Sequence, residues 1–131
     1  MGFFDSLVKG VSAVAGIGGG SLRNAADSSK TENKPGVYLL MVGGDVKKVG
    51  SAEIGIQKRM QQYYGLNNAC GLNNRINEEN RDSISVKWQY CSTSQCDELE
   101  SKLNDKYEAN NSMEWSERRP RSTNNTVMLK I

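Results

Sequence analysis

Between residues 36 and 109 the chain changes hydrophobic period four times, and each change predicts an element. Val37 to Val42 is an unbroken apolar run bounded by Gly36 and Gly43-Gly44, which predicts a central strand. Asp45 to Gly50 returns after the glycine pair as the second strand of a hairpin. From Ile54 to Tyr64 the spacing becomes helical, with Ile56, Met60, Tyr63 and Tyr64 on one side. Residues 65–82 hold a Gly-Leu-Asn-Asn echo in an Asn-rich stretch and predict a polar loop. Ile84, Val86, Trp88 and Tyr90 alternate strictly, as in a third strand with one buried face. Ser94 with Asp97 resembles a capping box and opens a helix from Gln95 to about Ala109. The order strand, strand, helix, strand, helix implies a small α/β sandwich of the α+β kind.

The flanks are patterned differently. Residues 1–15 carry Phe3, Phe4, Leu7, Val8, Val11 and Val14 at amphipathic helical spacing, too short for a membrane span. Such a helix packs on its own domain, a protein partner or a membrane surface. Residues 16–34 are rich in Gly, Ser, Asn and Lys and read as a flexible linker. Residues 119–131 read as a basic tail or an edge strand, with Thr126 to Ile131 as the strand candidate.

Composition narrows the chemistry. With 131 residues the chain suffices for one modest domain, and its formal net charge of +2 permits a nucleic-acid partner without demanding one. Basic clusters exist only locally, at Lys47-Lys48, Lys58-Arg59 and Arg118-Arg119-Pro120-Arg121. Histidine is absent, which excludes histidine-based nucleophile activation, histidine-ligated zinc and a histidine general base. The three cysteines, Cys70, Cys91 and Cys96, lack metal-ligand spacing and read as reduced thiols of a cytoplasmic protein.

Two short triplets, Gly36-Val37-Tyr38 and Lys48-Val49-Gly50, precede Arg59 at helical distance and Glu100 on the later helix. In this order and spacing they resemble the GIY-YIG nuclease superfamily. The similarity is greatest to its phage-type branch, whose second triplet opens with lysine and whose last helix runs into Glu-Trp, here Glu114-Trp115. It spans about residues 35–118. It implies a three-stranded antiparallel sheet flanked by helices, and a metal-dependent endonuclease that hydrolyses DNA phosphodiesters. By the same resemblance Tyr38 is the general base, Lys48 its activator, Arg59 the phosphate clamp and Glu100 the ligand of one Mg²⁺ or Mn²⁺ ion. Lys47, Lys58, Tyr63, Asn104, Arg118 and Arg119 are the substrate-binding candidates, Tyr63 and Asn104 standing where relatives commonly carry histidine.

The residues themselves support and limit these roles. A tyrosine is ionised in roughly one molecule per thousand at neutral pH, so a phenolate base needs a nearby cation. Lys48 qualifies only if it shares a sheet face with Tyr38. A two-residue turn would pair Tyr38 with Val49 and send Lys48 to the other face; a three-residue loop, Val42-Gly43-Gly44, would pair Tyr38 with Lys48. The three-residue loop is the expectation. Arg59 borders the apolar stripe of its helix and fits a phosphate fork or an ion pair with Glu53 equally. On the later helix Cys96, Leu99, Leu103 and Tyr107 form the buried stripe. Glu100 falls inside that sector, while Glu98 points to solvent. A carboxylate there is paired, with Arg59 or Lys48, or binds a metal.

Two functions of different class follow. One is the endonuclease, acting on DNA with RNA not excluded, in a housekeeping, mobile-element or toxin role. The other is a non-catalytic module that binds nucleic acid or protein on the same scaffold.

Overall fold

A computed structural model describes residues 16–66, 75–116 and 127–131. Strands β2 (Gly36–Val42) and β3 (Asp45–Ala52) form the expected hairpin, but its turn is the two-residue one. Val42 pairs with Asp45, and Gly43 and Gly44 carry φ of 58° and 84°. Two successive positive φ values match the twist of a tight hairpin and suit glycine. The expected three-residue loop is therefore corrected. Its consequence survives by another route. Met41 pairs with Val46 but Leu40 pairs with Lys48, so Lys47 is the extra residue of a β-bulge and the register slips by one. Tyr38 then faces Gly50, and Lys48 lies on Tyr38's side of the sheet.

The sheet has four strands rather than three, all antiparallel, in the order β1-β4-β2-β3. β4 is Ile84–Tyr90, and β1, Ile17–Ser21, lies in the stretch expected to be a linker. A short helix, α1 (Leu22–Ala26), follows it with Leu22 and Ala25 fully buried. The rest of that stretch is tied to helix α2 (Ile56–Tyr64). Asn33 Oδ1 accepts from the Lys58 amide at 2.9 Å, Gln57 Nε2 donates to the Thr31 carbonyl at 2.9 Å, and Gln61 Nε2 to that of Ala26 at 3.1 Å. Polar, glycine-rich composition hid an edge strand because its apolar content is confined to Ile17, Leu22 and two alanines. If residues 16–34 belong to the domain, Leu22→Ala destabilises it by about 2–5 kcal/mol in urea unfolding. A change within ~0.5 kcal/mol would restore the linker.

Residues of β2 alternate between two cores, as a central strand requires. Tyr38 and Leu40 join Leu22, Ile56, Met60, Tyr63, Ile84, Val86 and Trp88 beneath α1 and α2. Val37 and Leu39 join Val46, Val49, Leu99, Leu103 and Ile131 beneath helix α3 (Cys96–Tyr107). The capping box is formed by Ser92 and Gln95, not by Ser94 and Asp97, and closes a 3₁₀ turn from which α3 continues. Residues 127–131 lie along α3 and β4 without joining the sheet as a strand. Gln89 holds them with both ends of its amide, donating to the Met128 carbonyl at 2.9 Å and accepting from the Lys130 amide at 2.6 Å. Lys102 and Lys106 donate to the carbonyls of Val127 and Ile131. Glu98 precedes Lys102 by one turn on that covered side and is 8% exposed, which corrects its expected solvent position.

The free edge of β3 is covered by residues 111–116. The amides of Met113 and Trp115 donate to the carbonyls of Val46 (3.0 Å) and Lys47 (2.7 Å). Asn111 Oδ1 and Ser116 Oγ accept from the amides of Val46 (2.9 Å) and Val49 (2.8 Å). The Glu-Trp turn thus occupies an edge that would otherwise offer unpaired backbone groups. No helix among the described residues is long and apolar enough to cross a membrane.

Candidate active site

The site grows from the hairpin. Tyr38 points across β3, and a Cβ at position 50 would stand 2.5 Å from its Oη. Glycine at the end of the second triplet is therefore what lets the phenol pass. Beyond Gly50 the Tyr38 hydroxyl meets that of Tyr63 from α2 in a short hydrogen bond, with the rings edge to face at 5.9 Å. Tyr63 reaches it because Ile56, Met60 and Tyr63 share one side of α2, and that side lies on the sheet.

Three further candidates are charged, of which Arg59 and Glu100 act on the Tyr38 phenol. Arg59 is half-buried on α2, and its Nε is buried without a hydrogen bond. Glu100 on α3 is 3% exposed. It has interactions within the fold, yet its Oε1 is buried without a hydrogen bond. Lys48 is half-buried opposite Leu40, on the face that carries Tyr38 and Gly50.

The electrostatics run against one expectation. Tyr38 is held well above the ordinary tyrosine pKa, first by burial and then by the charge and hydrogen bond of Tyr63. Arg59 pulls it down and Glu100 pushes it up, so both lie within electrostatic reach of the phenol. Tyr38 is thus a neutral phenol, not a phenolate kept poised by neighbouring cations. Desolvation wins because the residue is only 1% exposed.

The remaining candidates separate. Lys47 is committed to the β3 edge through Asp45 at 3.0 Å and Glu114 at 3.4 Å. Asp45 in turn sits low, at about 2, held first by hydrogen bonds from Ser112 and then by Lys47. Tyr63, expected to touch substrate, is 2% exposed and bonded to Tyr38, which makes it the base candidate's partner. Asn104 donates through Nδ2 to the Glu100 carbonyl at 3.1 Å, bracing α3 below the carboxylate. Lys58 is exposed at the start of α2. Arg118 and Arg119 lie outside the described residues, as do the amphipathic segment 1–15 and the asparagines of 67–74. The bulge at Lys47 was not legible in the chain, where nothing but two adjacent lysines marks it.

Glu100 fits a hard divalent ion better than a soft one. It presents a buried carboxylate of hard oxygen donors, while among the described residues no group of three or more His, Cys, Asp or Glu side chains is gathered to hold a metal. One carboxylate with the remaining positions left to water suits Mg²⁺ or Mn²⁺ and not zinc. The two described thiols offer no alternative centre, and Cys70 lies outside the described residues. Cys91 and Cys96 have Sγ atoms 3.5 Å apart, and burial pushes the Cys96 pKa up to about 12.

No protein-family model matches the chain, and no curated protein matches it. In three dimensions it is similar to a solved domain of the superfamily that the triplets resemble. That structure is the GIY-YIG N-terminal endonuclease domain of UvrC from Thermotoga maritima, a point mutant bound to its catalytic divalent cation. The likeness covers 66% of this chain and 89% of that one, at 18% identity and a TM-score of 0.47.

Proposed function

We propose that this chain is a phosphodiester-cleaving endonuclease acting on DNA. The observation that carries the reading is a phenol that passes over Gly50 with the Arg59 guanidinium and the buried Glu100 carboxylate both within its electrostatic reach. Hydrolysis of a phosphodiester needs a base for water and positive charge for the phosphoryl oxygens. Tyr38 in its ionised form takes the proton of the attacking water as the new oxygen–phosphorus bond forms and the bond from phosphorus to the leaving sugar oxygen breaks, that alkoxide taking a proton from solvent water. The positive charge of Arg59 favours that phenolate, against burial and the Tyr63 hydrogen bond, which hold the proton in place. Arg59 also forks a non-bridging phosphate oxygen. Lys48, on the same face, adds charge near the base. A Mg²⁺ or Mn²⁺ ion held by Glu100 supplies the remaining positive charge to the phosphate when bound.

Purified protein with Mg²⁺ or Mn²⁺ nicks supercoiled plasmid, and chelation by EDTA stops it. Arg59→Ala lowers the rate by roughly 10²–10³-fold, the scale of one lost charge-stabilising donor, with an unchanged melting temperature. Nicking that survives this change would reject the clamp. The burial of Tyr38 favours the rival reading, a binding module without chemistry. Tight DNA binding with no nicking under any divalent ion would establish it.

A further inference from the structure

A concavity lies on the far side of β4, away from the Tyr38 hydroxyl. It encloses about 290 Å³ between the segment 28–32 and the rings of Trp88 and Tyr90, with Ile17 at its end. Resting on the nuclease reading, we propose that this pocket takes one unpaired base of the substrate strand, so that the preferred substrate is nucleic acid with a single-stranded stretch beside the cut.

Size, wall chemistry and position argue for that occupant. The volume sits at the lower edge of the ~300–1,000 Å³ of small-molecule sites, enough for a single base and too little for a helix or peptide strand. Two aromatic residues line it, and aromatic rings hold unstacked bases of any sequence. Trp88 is 2% exposed and its side chain interacts with that of Tyr90, so the indole backs the pocket and the part-exposed Tyr90 ring is the face on which a base would stack. At the rim Lys30 is exposed and only loosely held by Asn24 Oδ1 at 3.3 Å. Lys34 bridges Glu32 at 2.9 Å and stands 5.8 Å from the centre of the Tyr90 ring. Glu32 and Asp27 offset the two lysines, so the rim is near neutral and Lys30 is the group a phosphate would meet.

Position links the pocket to the site. Trp88 is the direct cross-strand neighbour of Tyr38. From the β3 side, where the phenol ends, to the pocket beside β1 is three strand spacings, about 14 Å. A strand whose phosphate lies at Arg59 therefore passes the pocket within a few nucleotides. A base in a duplex reaches it only after unstacking, at a cost of a few kcal/mol. Blunt duplex is consequently the poorer ligand.

The full chain carrying Trp115→Phe leaves Trp88 as its only indole, and its emission can be followed in EDTA while oligothymidylate is added. The expected result is a saturable change in emission. Blunt duplex of equal length should bind roughly tenfold more weakly, and inorganic phosphate alone should leave emission unchanged. Tyr90→Ala should raise Kd for oligothymidylate by roughly tenfold, within the range of one lost base–ring stack. Lys30→Glu, at an exposed position that folding tolerates, should lower the log–log salt slope by about one. Silent Trp88 emission while anisotropy shows oligothymidylate bound would overturn the proposal. So would an equal response to phosphate, or duplex binding as tight as single strand. Normal nicking with silent Trp88 would sink the pocket alone. A full Trp88 response without any nicking would support the pocket and sink the nuclease reading.

Discussion

Glu100→Gln abolishes metal-dependent nicking while leaving the protein at least as stable as the parent. The substitution keeps volume, shape and one oxygen, and removes the negative charge. In a site with a single protein carboxylate for the ion, that charge is the main attraction for a divalent cation. Activity should fall by roughly 10³-fold, comparable to losing a preorganised electrostatic group, and Mn²⁺ binding measured by calorimetry should weaken in parallel. Stability moves the other way. A carboxylate that is 3% exposed carries a desolvation cost that a neutral amide avoids, so the melting temperature should stay level or rise. The paired result separates a metal site from a structural salt bridge. Were Glu100 merely the partner of Arg59 or Lys48, its neutralisation would strand a cation in the interior and lower stability by several kcal/mol. A destabilised protein that still nicks DNA at the parental rate would end the metal assignment.

How far the site was legible in the chain depended on the kind of information each residue carries. Periodicity located β2, β3, α2, β4 and α3, because each buries a face whose spacing repeats. The same periodicity put Glu100 inside the sector where it is found. It failed two residues earlier at Glu98, which is 8% exposed where the wheel puts solvent, because a helical wheel contains no tertiary contact. The hairpin shows how a sheet face can be right while the register is wrong, since Lys48 pairs with Leu40 and not with Tyr38. Two glycines with positive φ make a tight turn, which alone would have turned Lys48 away from Tyr38. A bulge at Lys47, written nowhere in the residue types, restores it. Residues 16–34 show the opposite failure. Gly18, Gly19 and Gly20 resemble a linker, yet they pair with Trp88, Lys87 and Val86 as the outermost strand. Composition reports mean polarity, and an edge strand with one short helix behind it has little apolar surface to declare.

The phenol itself was misjudged, and its correction yields the sharpest test. Burial, not the neighbouring cations, sets the Tyr38 proton, so the active ionised form is scarce at neutral pH and grows with pH. Nicking should therefore climb between pH 7 and 9 with a log-rate slope near one, and Tyr38→Phe should remove both the slope and the rate. The expected loss is roughly 10²–10⁴-fold, the range of a general base. Stability must follow the same proton in the opposite sense. An unfolded tyrosine releases its proton near pH 10, whereas folded Tyr38 keeps it to higher pH. Above about pH 10 the unfolded chain thus binds fewer protons than the folded one, and stability falls as pH rises. Below that pH the contribution is fully present. Tyr38→Phe, which has no proton to lose, should show a shallower alkaline decline in urea unfolding than the parent. Both measurements address one group, and they fail differently. A phenylalanine variant that nicks within threefold of the parent, with the same pH slope, would assign the base elsewhere even if the alkaline stability shift appeared on schedule.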